Sequence, residues 1–235
     1  MTGSDRKLKI AIIGGTGALG SGLAMRWAGA GHGVIIGSRD SERAAARAAE
    51  FSRKAGTAIA GADNATAAEQ AELVVMTVPY ANHAATLENI RPHLSGKIMV
   101  DVTVPLMPPK VRTVHLPEGG PVARAVQNEL GNDVRVVSAF QNVAAAHLAK
   151  PDQRIDCDVL VCGNDSEARS TVVALAEDAG MKAWHAGRID NSAVAEGLTS
   201  VLIFLNGRYR IDGAGIRITG TAGSTGEQGR GRHAE

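Results

Sequence analysis

Three glycines at fixed spacing are the first residues in this chain that could do chemistry. In "AIIGGTGALGSGLAMRW", residues 11–27, Gly15, Gly17 and Gly20 read G-x-G-x-x-G. With 28 glycines in 235 residues the spacing alone carries little weight, so its surroundings decide. "KLKIAIIG" before it is a β-rich apolar run, and after it Leu19, Leu23 and Trp27 recur four apart, as on one face of a helix. Strand, glycine turn and helix form a cradle for a pyrophosphate. Gly15 is expected to allow the tight turn, Gly17 to admit the phosphates to the main chain, and Gly20 to let helix and strand lie close. The start of the helix then offers unpaired N–H groups and a partial positive charge.

The second strand, "HGVIIGSRD", bears on which dinucleotide binds. A site for NAD usually carries an acid near the end of this strand, bonded to the ribose 2′-OH. Here Ser38 and Arg39 stand there, and Arg43 follows four residues on. A carboxylate would repel a 2′-phosphate, whereas a guanidinium pairs with it. The residues therefore favour NADP. Asp40 reads as the N-cap of a helix starting at Ser41. The competing reading of Arg39 and Arg43 is a solvated basic edge.

Groups that would donate a proton to a carbonyl are missing from the usual places. Tyr80 and Tyr209 are followed at the Tyr-x-x-x-Lys spacing by Ala84 and Gly213, and no lysine follows Lys182. The seven histidines show no H-x-x-x-H pair, so no metal site is expected. Cys157 and Cys162 sit five apart in a strand-like run, on opposite faces, and read as core residues. A nicotinamide enzyme without an evident acid suits an acceptor that takes hydride without enforced protonation, such as a flavin-like or deazaflavin ring.

The elements that must position these residues alternate. "SERAAARAAEFSRKAG" reads as helix, "AELVVMTVP" as strand, "HAATLENIRPHL" as helix and "GKIMVDVTVP" as strand. This rhythm implies crossovers and a doubly wound parallel sheet of the Rossmann type, an α/β fold. Five prolines between Pro105 and Pro121 make a long loop at the carboxyl end of a strand, where ligand crevices form. "GPVARAVQNEL" then reads as helix and "VRVVSAF" as strand. "CDVLVCG", "SEARSTVVALAEDAG" and "KAWHA" form a second strand–helix–strand group. "NSAVAEGLTSVLIFLNG" is apolar nearly all round, as a buried helix or a subunit contact would be. The organisation is therefore a dinucleotide-binding domain over 1–140, a small C-terminal α/β domain over 141–219 and a polar, Gly-rich, disordered tail over 220–235.

Composition narrows the function classes. A net charge of +1 and 44% hydrophobic residues describe an ordinary globular chain, not one built for nucleic acid or a membrane. Aromatics are 3%, too few for a base-stacking platform. The run Ile10–Ile13 is too short for a signal peptide, so a cytoplasmic location is expected.

"GGTGALGSGLAMRWAGAGHGVIIGSR", "CDVLVCGND" and the closing "EGLTSVLIFLNGRYRIDGAGIRI" together resemble the NADPH-dependent reductases of coenzyme F420, from about Lys7 to Ile218. The resemblance implies that Thr16, Gly17, Ala18 and Leu19 hold the pyrophosphate and that Ser38, Arg39 and Arg43 hold the 2′-phosphate. It implies Val78 on the nicotinamide side, Val104 and Ala145 in the facing pocket, and a homodimer. Gln141 and Ala144 stand where the family pattern has histidine and proline, at the implied deazaflavin pocket. Gln141 can donate and accept hydrogen bonds but cannot titrate near neutrality. No residue is assigned as catalytic; the expected mechanism is positioning, with NADP(H) and F420 carrying the chemistry. A reductase of an imine, carbonyl or flavin, and a noncatalytic NADP(H) sensor, are the competing readings.

Overall fold

A computed structural model describes residues 6–150 and 153–220. Nearly all of the tail expected over 220–235 lies outside these described residues. The first half of the chain alternates strand and helix: β1 (Lys9–Ile13), α1 (Ala18–Gly29), β2 (Gly33–Ser38), α2 (Ser41–Ala55), β3 (Ile59–Asp63), α3 (Asn64–Gln70), β4 (Leu73–Met76) and α4 (Tyr80–Ile90). The second half adds β5 (Ile98–Asp101), α5 (Val122–Leu130), β6 (Arg135–Ser138), the short α6 (Ala145–Leu148), β7 (Asp158–Gly163), α7 (Ser166–Asp178), β8 (Lys182–His185) and α8 (Ser192–Tyr209).

The strands form one eight-stranded sheet in the order β3-β2-β1-β4-β5-β6-β7-β8. Successive residues of β1 feed opposite layers, as strand geometry requires. Ile10 and Ile12 pack with Leu23, Trp27, Ile36 and Phe51 on one face. Ala11 and Ile13 pack with Ala67, Met76, Leu87 and Ile90 on the other. Both faces are covered by helices, so the central strands are buried on both sides and read as continuous apolar runs.

The strand order reverses between β1 and β4. Chains leaving those two strands diverge to opposite sides, which opens a crevice at their carboxyl ends.

One seam departs from the expected all-parallel pairing. β7 runs antiparallel to β6, with Val137 opposite Gly163 and Ser138 opposite Cys162. The chain makes no full crossover after β6. Asn142, four residues past its end, donates from Nδ2 to the Asp158 carbonyl at 2.8 Å, which pins the start of β7 near the end at which β6 finished. The C-terminal α/β unit joins the sheet across this seam.

α1 ties that unit to the first half. The Trp27 indole is fully buried and donates to the Leu175 carbonyl at 2.7 Å. The Arg26 guanidinium donates to the carbonyls of Leu148, Ala179, Lys150 and Gln153 at 2.6–3.1 Å. A buried guanidinium needs this many acceptors, because each unsatisfied N–H would carry its full desolvation cost. Cys157 and Cys162 are buried free thiols, as their placement in the core predicts.

Candidate cofactor cleft

The crevice at the β1–β4 switch is a cleft of about 780 Å³. Its floor is the turn between β1 and α1. Gly14, not Gly15, makes the sharp turn: its φ is +77°, and its N–H donates to the Gly37 carbonyl at 3.1 Å. Gly15 serves packing instead. A Cβ there would sit 2.8 Å from the Cβ of Ile36 and 2.7 Å from the Ile12 carbonyl oxygen. Gly20 plays the expected part, since its added Cβ would lie 2.7 Å from Thr77 Oγ1 and 2.8 Å from the Gly15 Cα. Gly15 and Gly20 therefore shape the cradle from beneath and do not line the cleft. Gly17 differs: an added Cβ would meet only the Gly14 carbonyl oxygen at 3.3 Å, and Gly17 itself faces the cleft.

Gly17 is also the N-cap of α1. Among the described residues no side chain caps this helix, and its first turn holds no acidic residue. Its leading N–H groups and the positive end of its dipole are left for a ligand. Thr16, Gly17, Ala18 and Leu19 line the cleft at this point.

Ser38, Arg39 and Arg43 line the far end. β2 delivers Ser38 and Arg39, and the first turn of α2 delivers Arg43. Asp40 caps α2 by accepting from the Arg43 backbone N–H at 3.0 Å, as its sequence position predicts. Among the described residues neither Arg39 nor Arg43 joins an ion pair. The two exposed guanidiniums are thus free to meet an anion.

The other wall comes from the ends of β4 and β5. Val78 and Val104 both line it. Thr77 fixes its start by donating from Oγ1 to the Ile13 carbonyl at 2.8 Å. Asp101, at the end of β5, accepts the Thr103 N–H at 2.9 Å on Oδ1 and lies 2.8 Å from His83 Nε2 on Oδ2. Burial pulls the His83 pKa down, but the bond to Asp101 and that carboxylate's charge carry it above its ordinary value. Two buried polar atoms of cleft-lining residues, Asn64 Oδ1 and Thr103 Oγ1, have no hydrogen-bond partner among the described residues. Buried polar atoms of that kind are rare, and a ligand is one way they are satisfied.

Gln141 and Ala145 do not line this cleft. The backbone takes φ +71° at the fully buried Phe140, an uncommon conformation for a residue with a side chain, and Gln141 follows it inward. Gln141 is 5% exposed, and its Nε2 donates to the Asp101 carbonyl at 2.9 Å and to Ser138 Oγ at 2.8 Å. The side chain binds the ends of β5 and β6 together behind the cleft wall. Ala145 opens α6, which lies against α1 where a Cβ on Gly22 would collide with Leu148.

Glu196 of α8 is a group the sequence did not single out. Its carboxylate accepts the backbone N–H groups of Val122 at 2.8 Å and Ala123 at 3.2 Å, and the Ser192 hydroxyl at 3.1 Å. It thereby caps α5, which Pro121 opens without a side-chain cap of its own. Burial pushes its pKa up to about 7. Among the described residues no cluster could hold a metal ion, and no helix is long and apolar enough to cross a membrane.

A doubly wound sheet with an uncapped first helix, a bare glycine turn and two free guanidiniums beyond the second strand defines a dinucleotide-binding α/β protein. The family described as "NADP oxidoreductase coenzyme F420-dependent" matches residues 9–105. The F420-dependent NADP reductase of Methanocaldococcus jannaschii is 42% identical over 221 residues, covering 90% of this chain and 98% of that protein. The enzyme of the same name from Methanothermobacter thermautotrophicus is 40% identical over 220 residues, 90% of this chain and 95% of its own length. A crystal structure from Arthrobacter sp. FB24, described as a candidate F420-dependent NADP-reductase, superposes with a TM-score of 0.76 at 30% identity, covering 90% of this chain and 99% of that one. This chain belongs to the F420-dependent NADP reductase family.

Proposed function

We propose that this protein transfers a hydride between NADP(H) and coenzyme F420. The observation that carries the nucleotide half is the uncapped N-terminus of α1 at Gly17, set in one cleft with the unpaired guanidiniums of Arg39 and Arg43. The first matches a pyrophosphate and the second a 2′-phosphate. The unpartnered Asn64 Oδ1 and Thr103 Oγ1 add polar atoms that a nucleotide could satisfy. The acceptor half comes from the family, whose named relatives span nearly this whole chain.

When bound, the nicotinamide and the deazaflavin supply a hydride donor and acceptor at carbon. The protein's part is to bind, orient and keep water away. Thr16–Leu19 grip the pyrophosphate, while Ser38, Arg39 and Arg43 anchor the 2′-phosphate. Val78 and Val104 give the nicotinamide an apolar wall. The wall is stiffened by Asp101, which holds the Thr103 backbone in place. Gln141 acts at one remove by fixing Asp101 and Ser138. No side chain is assigned a proton transfer. This is catalysis by proximity, which can supply a large share of a rate enhancement.

The C-terminal region over 141–219 completes the acceptor side. Val194, Val201, Phe204 and Tyr209 leave an apolar face of α8 exposed, which supports a homodimer formed through that helix. Titration of the purified chain with NADPH and with NADH tests the nucleotide half, and mixing with F420 tests the acceptor half.

A further inference from the structure

We infer that Asn64 is a specificity-determining residue, whose neutral amide contacts the 2′-phosphorylated ribose alongside Arg39. The inference rests on the NADP(H) reading above and assigns a part to a residue outside the glycine and arginine signatures.

Asn64 is the first residue of α3, directly after β3. β3 pairs in parallel with β2, and Ser38 stands opposite Asp63, so Asn64 lies beside the end of β2 that carries Ser38 and Arg39. Gly37 makes room for it: a Cβ there would sit 2.9 Å from Asn64 Oδ1. Asn64 borders both the main cleft and an adjoining chamber of about 330 Å³ that Ser38 and Arg39 also line.

Asn64 is 5% exposed, yet its side chain makes no hydrogen bond to any described residue, and its Oδ1 is buried without a partner. The neighbouring Asp63 is already used, because its carboxylate accepts the Thr66 N–H at 2.9 Å. An amide held this deep without partners is costly unless something else supplies them.

The chemistry selects the partner. An amide offers two donors and an acceptor and carries no charge. Its Nδ2 can donate to an oxygen of the 2′-phosphate. A carboxylate at the same place would repel a 2′-phosphate and instead favour a free 2′-hydroxyl. Asparagine here is thus the neutral counterpart to the charged contacts of Arg39 and Arg43.

The test is binding, measured by calorimetry on the full chain with NADPH, NADH, 2′,5′-ADP and 5′-AMP. The near-isosteric Asn64→Asp should weaken NADPH and 2′,5′-ADP about 30-fold, and Asn64→Ala about 10-fold, the scale of lost hydrogen bonds to a charged group. NADH and 5′-AMP should shift by less than about threefold in either variant, which also reports that the site is folded. Equal losses for phosphorylated and unphosphorylated nucleotides, or no loss in either variant, would overturn the inference while leaving the nucleotide reading intact. A wild-type chain that does not prefer 2′,5′-ADP to 5′-AMP would overturn both.

Discussion

His83 Nε2 lies 2.8 Å from Asp101 Oδ2, and the opposite oxygen of the same carboxylate holds the Thr103 N–H at the rim of the cleft. A buried pair on α4 and β5 thereby sets the backbone that carries Val104. Its strength depends on pH. The folded pKa of His83 is raised, because the bond and charge of Asp101, with more distant Glu129 and Glu196, outweigh the opposing effect of burial. A raised histidine stabilises the fold fully below its unfolded value of about 6.5, and that contribution is lost as pH rises through the folded value. Melting temperatures of wild type and His83→Gln, compared across pH, should differ most below about 6.5 and converge above it. A difference independent of pH would show that folding leaves the histidine's pKa at its ordinary value.

Glu196 titrates in a different window. Its pKa is about 7 in the fold against an ordinary 4.5, chiefly because it is buried. The folded state then holds a proton that the unfolded chain has released, so the protonated carboxyl's advantage is lost as pH rises between those values. The shift corresponds to roughly 3 kcal/mol at most. Glu196→Gln should flatten this part of the stability profile. Identical profiles for variant and wild type in denaturant titrations would place the folded pKa in the ordinary range.

The glycines of the turn should separate by phenotype. Gly20→Ala forces a Cβ to within 2.7 Å of Thr77 Oγ1 and should cost about 1–3 kcal/mol of stability, as overpacking does. Gly17→Ala meets only one oxygen at 3.3 Å, so its melting temperature should hold while NADPH affinity falls. Loss of stability in Gly17→Ala, with affinity preserved, would remove it from the phosphate site.

Those glycines also show how far the sequence could be read. The cradle was legible because a strand, a turn and a helix each left a local pattern. Which glycine does what was not, since Gly14 and Gly15 differ only in φ and in their neighbours on β2 and just past β4. β3 and α3 were hidden in "TAIAGADNATAAEQ", where Ile59 is the only large apolar residue and small side chains blur the period. β3 can lie there because Gly61 passes close to the Ala44 backbone, a long-range contact with no local trace. Arg39 and Arg43 were legible from charge near the end of a strand. Gln141 sits behind the cleft wall because Phe140 adopts a positive φ, which nothing in "SAFQN" announces. Asn64 and Glu196 gave no signal beyond their residue types, because Gly37 beside Asn64 and the Val122 and Ala123 N–H groups on Glu196 lie 27 or more positions away in the chain.

Arg39 bears most directly on nucleotide choice. Arg39→Ala should weaken NADPH binding by about 1.5–3 kcal/mol, the scale of a lost charged hydrogen bond, and leave NADH nearly unchanged. Equal weakening of both would make Arg39 a structural residue.

Hydride exchange between the two cofactors is open to one direct optical measurement. Purified protein is mixed with NADPH and oxidised F420 in the absence of oxygen, and the visible band of F420 is followed. That band should bleach in step with oxidation of NADPH, one for one, and much more slowly with NADH. An unchanged F420 band, in a preparation shown to bind NADPH, would contradict it.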